Sequence, residues 1–352
     1  MRGLLRVLLT FVAIVLVVIV AVLAFLSITE YRPADTETVT ATMGVKHHFV
    51  EIGTTYHMVT LNIGYGALGR DSDFFMDGGD DVMPDSQDVV EDNLSGILSA
   101  LYSQQADLVL LQEVDISSKR SYYIDEAEYF RAGLSMGKAF AYNFKVRFVP
   151  YPIPFIGKVE SGLMTLSNLK VESAKRISLP TTSGWPIRTA NLKRALLVEY
   201  LPIDGTDQYL VLINLHLEAY TTGEARQKQL DVLFSLMEDE YKAGNYVIAG
   251  GDFNANFPGA ESLYPITDDS VWVPGDLQLD DLPNHFDYAY ELDVPTCRSM
   301  DKPYDGNRED HIMYVIDGYI VSDNIKVNDI QNIDLNFENT DHQPVAIDFT
   351  LK

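Results

Sequence analysis

The sequence predicts a mixed α/β domain, two packed β-sheets with helices outside, preceded by one helix able to span a membrane. Three observations predict it. Apolar runs of strand length alternate with two segments, Asp88–Leu101 and Gly223–Lys242, whose apolar residues recur at helical spacing. Several strand-like runs follow one another with no helix between them, which favours two sheets with antiparallel pairs over one parallel sheet. Finally, Val7–Leu26 is twenty residues without a charge, enough for one membrane-spanning helix.

Arg2 and Arg6 precede that apolar run, whereas Glu30 and Asp35 follow it with Arg32 as the only nearby cation. The positive-inside bias leaves the N-terminus in the cytosol and the rest of the chain outside it, at the cell membrane. A cleaved signal peptide is the rival reading. Its apolar region spans about 7–15 residues before a small-residue cleavage site, so the longer run here favours an uncleaved signal-anchor. The expected organisation is a cytosolic N-terminus at 1–6, an anchor at 7–26, a polar tether at 27–43 and a globular domain at 44–352.

Within the domain, Val45–Ile52 and Tyr56–Ile63 read as strands around a Gly53-Thr54 turn. The Asp88–Leu101 helix presents Val90, Leu94, Ile97, Leu98 and Leu101 on one side. Strands follow at Asp107–Gln112, Gly162–Ser167, Leu196–Leu201 and Tyr209–Leu217. The Gly223–Lys242 helix buries Leu230, Leu233, Phe234, Met237 and Tyr241, with Thr221 or Thr222 as its cap and Gly244 as its stop. Tyr246–Ala249, Gly318–Val321 and Val345–Phe349 complete the strands.

Composition narrows the function. The hydrophobic share of 47% and charged share of 22% are those of a globular protein. Cys297 is the only cysteine, so a large core must stabilise the domain without internal disulfides. A net charge of −25 argues against coating nucleic acid through the overall field. The cations are unevenly spread, however: ten Lys or Arg and only two acids lie between Lys138 and Arg194. That local excess suits a phosphate-bearing substrate as well as it suits a solvated surface.

Polar residues stand where apolar runs end: Asn62 after Val59-Thr-Leu, Glu113 after Leu108-Val-Leu-Leu-Gln112, and His216 after Leu210-Val-Leu-Ile-Asn214. Asp252 and Asn254 follow Tyr246-Val-Ile-Ala-Gly250, and Asp341-His342 precede Pro344-Val-Ala-Ile. Hydrolysing a phosphate ester needs charge stabilisation at phosphorus, a positioned water and help for the leaving oxygen. A divalent metal supplies the first and third. Mg²⁺ takes oxygen ligands and keeps several waters, so one or two carboxylates suffice. Glu113 is the first metal ligand, Asn62 lies beside it, and Asp341 is a second carboxylate. Asp252 would deprotonate water, Asn254 would hold the phosphorus centre or the metal, and His216 and His342 would donate to phosphate oxygens. Asp317 would orient one imidazole.

Six blocks in this order resemble the endonuclease/exonuclease/phosphatase superfamily of deoxyribonuclease-like phosphoesterases: Leu61-Asn62, Leu111-Gln-Glu113-Val, Asn214-Leu-His216-Leu, Gly250-Gly-Asp252-Phe-Asn254, Ile316-Asp317-Gly-Tyr-Ile and Asp341-His342-Gln-Pro344. The resemblance covers roughly Tyr56 to Phe349. It implies a four-layered α/β sandwich with the site at one edge of two facing sheets. It also implies Mg²⁺ as cofactor, with Mn²⁺ able to substitute, and it puts Glu113 on the metal, Asp252 as base and Asp317 beside His342. Gly318 departs from the family, many of whose members carry Tyr directly after the Asp. The family's phosphate-contacting Tyr has no assignment among Tyr122, Tyr123 and Tyr142.

The expected function is therefore an extracytoplasmic, Mg²⁺-dependent phosphoesterase anchored in the bilayer by its first helix, with no obligate protein partner. Its substrate would be a phospholipid or sphingolipid headgroup, a nucleic acid (making it an extracellular nuclease), or a small phosphoester. A catalytically silent membrane-tethered binding module is the alternative of another class; it would not need acid, base and metal groups together. The acidic stretch Asp71–Asp81 fails EF-hand spacing and reads as a solvated loop or a lid. Phe144–Ile156, with three prolines, reads as a packed crossover in preference to a membrane-contacting loop. His47, His48 and His57 read as structural or solvent-facing.

Overall fold

A computed structural model describes residues 2–181, 183–220, 223–268 and 271–352. The longer helices are α1 (Arg2–Thr29), α2 (Gln87–Gln104), α3 (Glu126–Leu134) and α4 (Gly223–Lys242). The first nine strands are β1 (Thr36–Val39), β2 (Thr55–Asn62), β3 (Leu108–Asp115), β4 (Gly137–Val149), β5 (Gly157–Ser167), β6 (Ser173–Ser178), β7 (Ala195–Pro202), β8 (Tyr209–His216) and β9 (Tyr246–Asp252).

Two sheets face each other. One has six strands in the order Ile325–Asn332, Val345–Leu351, β2, β3, β5, β4; the other has seven, in the order β1, β6, β7, β8, β9, Asp317–Ser322, Phe286–Ala289. Each contains one parallel pair, β2 with β3 and β8 with β9. A parallel pair needs a crossover, and here α2 and α4 supply the two crossovers. Helix α2 lays Val90, Leu94, Ile97 and Leu101 on the outside of the first sheet, with Ser86 capping its start by accepting from the Val89 N–H. Helix α4 lays Leu230, Leu233, Phe234 and Met237 on the outside of the second. Between the sheets, Met58, Leu108 and Leu110 meet Leu210, Leu212 and Ile248. The result is the expected helix–sheet–sheet–helix sandwich.

Polar struts lock the sheets together at one end. The Gln112 amide donates to Asn214 Oδ1 at 2.8 Å, and Asn214 Nδ2 donates to the carbonyls of Leu111 and Met164. The Tyr319 hydroxyl donates to the Val345 carbonyl at 2.7 Å. These bonds cross from one sheet to the other, although Gln112 Oε1 has no partner among the described residues, so the struts hold the spacing of the strand ends.

Several boundaries differ from expectation. Residues 27–43 are not a loose tether: Thr36–Val39 pairs with β6, and Glu30 takes ion pairs from Arg188 and Lys193. Val45–Ile52 forms no strand beyond single bridges of His48 to Leu169 and Val50 to Ile203. It runs between the ends of β5 and β7, which belong to different sheets, so it has no continuous edge to pair with. The longest strand, β4, was not anticipated, although its burial alternates along Gly137–Tyr142. Its last residues, Phe144–Val149, belong to the segment expected to cross over the core; the prolines come after the strand, and the 150–156 tip is exposed at Tyr151 and Ile153. Helix α3, β1, β6 and the strands at 286–289 and 325–332 were also missed. Thr221 and Thr222, the expected caps of α4, lie outside the described residues. Helix α1 is uncovered by the domain along its apolar length and is long and apolar enough to cross a membrane.

Candidate active site

The sheet topology explains why the polar residues gather. The C-terminal ends of both parallel pairs lie at the same end of the sandwich, the usual place for a site in α/β sheets. In the second sheet, His216 ends β8 and Asp252 ends β9, and the two are paired in register. Asp317 opens the antiparallel neighbour and is paired with Asp252 from the other side. His216, Asp252 and Asp317 thus form one row across three strands. In the first sheet, Asn62 ends β2 in register with Gln112, and Glu113 follows at once. Asp341 and His342 come from the turn that leads into Val345–Leu351.

Local backbone aims two of these side chains. Glu113 has φ of 56° and sits where the β3–β5 register slips between Leu111 and Val114. A bulge with left-handed backbone at a non-glycine residue is strained, and it turns the carboxylate out of the ladder into the cavity. Asn254 has φ of 49°; its N–H bonds Asp252 Oδ1 at 2.8 Å and its amide donates to the Leu217 carbonyl.

Asp252 is buried at the centre. Its Oδ2 accepts from Asn62 Nδ2 at 3.0 Å and lies 3.3 Å from His216 Nε2. Burial first, and the neighbouring Asp317 carboxylate second, push its carboxyl up to about 7. His342 Nδ1 is 2.8 Å from Asp317 Oδ2. Burial works against charge on that imidazole, but Asp317 raises its pKa well above the usual histidine value. His342 Nε2 stands 3.9 Å from Asp252 Oδ2, too far to bond, so this second N–H remains for a ligand. Burial and Arg194 together hold His216 well below the usual value, so it is neutral.

The carboxylates divide by chemistry. Glu113 accepts from Asn62 Nδ2 at 3.3 Å, and Asp341 Oδ1 from the Thr340 hydroxyl at 3.3 Å; neither forms a salt bridge among the described residues. Burial raises the pKa of Glu113, Arg120 opposes the rise, and Asp341 adds to it. Two carboxylates facing one cavity without a bonded cation suit a hard divalent ion. Asn62 ties Glu113 to Asp252, and its own oxygen is taken by the Gly64 N–H at 3.0 Å. Ligand atoms of Asp252, Asp317 and His342, and of Cys297, Asp341 and His342, lie within 4.8 Å of one another, and Glu113 stands outside both groups. Those two groups suit a metal less well. Burial pushes the Cys297 thiol up to about 12, and His342 is a cation.

Residues not anticipated complete the cavity, which holds about 810 Å³. Arg194, just before β7, is 4% exposed, lines the cavity and, among the described residues, has no hydrogen-bond partner for Nε or Nη1. The only sequence signal for it was a cation immediately before an apolar run. Arg120 is held on Asp115 through two bonds of 3.0 and 3.1 Å and lies 3.6 Å over the Tyr65 ring. Tyr122, Tyr123 and Tyr142 do not line the cavity; Tyr65, Tyr220 and Tyr314 do. Gly318 leaves Asp317 in register, and a Cβ there would lie 2.7 Å from the Phe257 ring. The Asp71–Asp81 loop borders the cavity through Phe74–Asp77 and is held by the Asp80 and Asp81 N–H groups on Asp73.

A sequence profile of the Endonuclease/Exonuclease/phosphatase family matches residues 59–312. The chain belongs to that family. As in its other members, the reaction is metal-dependent hydrolysis of phosphate esters, and the chain is an enzyme. No curated protein sequence matches the chain. Among solved structures, an endonuclease/exonuclease/phosphatase protein from Beutenbergia cavernae DSM 12333 is 15% identical with a TM-score of 0.58, covering 84% of this chain and 72% of its own. D. rerio TDP2 complexed with a single-strand DNA product is 17% identical with a TM-score of 0.52, over 84% and 99%. ANGEL2, a 2′,3′-cyclic phosphatase in complex with adenosine-2′,3′-vanadate, is 14% identical with a TM-score of 0.52, over 89% and 98%. At these identities the likeness extends to the fold.

Proposed function

We propose that this family member is a membrane-anchored, Mg²⁺-dependent phosphoesterase acting outside the cytosol on a phospholipid or sphingolipid headgroup. The observation that carries the chemistry is the Asp252–Asp317 pair with His342 closed against it and the Arg194 guanidinium in the same cavity, its Nε and Nη1 without a partner among the described residues. Asp252, poised near neutrality, takes a proton from the attacking water. Asn62 and the Asn254 N–H hold its two oxygens in place. His342, cationic against Asp317, and Arg194 hold phosphoryl oxygens where negative charge grows. Asn254, which lines the cavity beside Asp252, would hold the phosphorus centre, and neutral His216 steadies Asp252. Glu113 and Asp341, with Asn62 beside them, would hold Mg²⁺ or Mn²⁺, which when bound stabilises charge on the phosphoryl group and the leaving oxygen.

The anchor reading rests on α1 and on the Arg2 and Arg6 that precede its apolar run. The test uses the full chain in detergent micelles with bis(4-nitrophenyl) phosphate, lipid vesicles and plasmid DNA, each with Mg²⁺, Mn²⁺ or chelator. Metal-dependent headgroup release, lost in Asp252→Asn, is the expected result. DNA nicking with no headgroup release would replace the lipid reading with a nuclease. Metal-independent ligand binding without turnover would remove the enzymatic reading altogether.

A further inference from the structure

Two loops stand at the outer end of the catalytic cavity and turn apolar side chains to solvent. In the 150–156 loop, Tyr151 is 69% and Ile153 84% exposed; in the 183–190 segment, Trp185 is 57% and Ile187 68% exposed. Tyr151, Ile156, Ile187 and Ala190 of the same loops line the cavity. Bulky apolar side chains gathered on one rim of a site mark a contact surface.

The end of α1 settles what covers it. Trp185 Nε1 donates to Ser27 Oγ at 3.1 Å, in the last turn of α1. One residue past the helix, Glu30 accepts ion pairs from Lys193 at 3.2 Å and Arg188 at 3.3 Å. The chain therefore leaves its apolar helix directly onto the loop that carries Trp185 and Ile187, with no slack between them. Trp and Tyr favour the headgroup level of a bilayer. Charge adds little to this contact: Arg147 is exposed just before the first loop, whereas Arg188 and Lys158 are balanced by Glu30 and Glu160, so the apolar side chains carry it.

Resting on the phosphoesterase reading above, we propose that the tips of the 150–156 and 183–190 segments insert into the leaflet holding the C-terminal end of α1. The cavity mouth then opens on the lipid surface, and the headgroup reaches Asp252 from the same membrane. The cavity fits this arrangement. Its inner end carries Glu113, Arg194 and His342, while its outer end is Phe75, Tyr151 and Ile187, so polarity falls from the reacting centre toward the rim.

The test uses the full chain reconstituted in vesicles of phosphatidylcholine and phosphatidylglycerol. Nitroxides are placed by I153C and, as an aqueous control, by Y123C on another exposed surface; Cys297 is buried. The label at 153 should collide preferentially with oxygen dissolved in the lipid, and the label at 123 with a water-soluble nickel complex. Equal access of both labels to the nickel complex overturns the proposal and leaves the rim to a protein partner. In a second arm, Ile153→Asp should lower headgroup release from vesicles about ten-fold, roughly what one buried apolar side chain contributes to membrane affinity. Its hydrolysis of soluble bis(4-nitrophenyl) phosphate should be unchanged. Unchanged headgroup release also overturns the proposal. Failure of the parent chain to cleave the soluble diester sinks the enzymatic reading instead, and the label depths still decide the membrane contact.

Discussion

His342 Nδ1 lies 2.8 Å from Asp317 Oδ2, a contact closed between a turn of the six-stranded sheet and the first residue of a strand in the seven-stranded one. It joins the two halves of the sandwich at the reacting centre. It also makes one proton's position depend on how the sheets face each other.

Removing that carboxylate should cost the proton. In Asp317→Asn the largest influence opposing the burial of His342 is gone, leaving only Cys297 and Asp341, so its pKa drops. The expected loss in kcat is roughly 10²–10⁴-fold, the scale of a positioned proton donor. The alkaline limb of the pH–rate profile should move to lower pH, because the required proton is lost sooner as pH rises. A profile of unchanged shape would show that His342 does not act as a cation.

Arg194 should separate catalysis from stability. Its buried guanidinium has two nitrogens without acceptors among the described residues, an arrangement that costs folding energy unless an anion supplies the missing bonds. Arg194→Ala should lower kcat/KM by about 10²-fold, equivalent to one charge-assisted hydrogen bond of about 1.5–3 kcal/mol. Thermal stability without substrate should hold or rise. A fall in melting temperature would mean that Arg194 serves the fold.

Glu113 and Asp341 should carry the metal together. Glu113→Gln and Asp341→Asn should each weaken Mn²⁺ binding by titration calorimetry and reduce activity, with rescue at higher metal concentration. Cys297→Ser should leave the affinity unchanged, since burial keeps that thiol protonated. Loss of metal in the Cys297 variant would place the ion in the cysteine-containing group instead.

Glu199 offers a stability test away from the site. It is buried on β7, and burial pushes its pKa up to about 8, with the Thr165 hydroxyl opposing slightly. Below the unfolded value both states are protonated and nothing is lost. From there up to about 8 only the unfolded chain ionises, so the folded state is progressively disfavoured as pH rises. Glu199→Gln should therefore gain stability over the parent by a few kcal/mol at alkaline pH and little at pH 4, read from denaturant unfolding. An equal effect at both pH values would refute the buried proton.

The gathering of the candidate residues was legible because Asn62, Glu113, His216 and Asp252 sit directly after apolar runs, and a strand end marks a place in space as well as in sequence. Asp317 opens its strand and was readable for the same reason. Arg194 and Tyr65 escaped: their runs carry no polar block, and they reach the cavity only because two sheets close on it. The β4 strand was masked by the prolines that follow it, which drew attention to its far end. The tether was misread because polar composition does not distinguish a free segment from an edge strand whose partner, β6, lies more than a hundred residues away.

By itself the amino-acid order determined the layers, the two crossover helices, the apolar N-terminal helix and the polar residues at strand ends. These follow from local periodicity and from where apolar runs stop. Only the tertiary structure decided which carboxylate pairs with which imidazole, that Asn62 bridges Glu113 to Asp252, and that α1 ends against the cavity rim. Those relations depend on register between strands and on the facing of two sheets, and both are set by long-range packing, which no short stretch of sequence encodes.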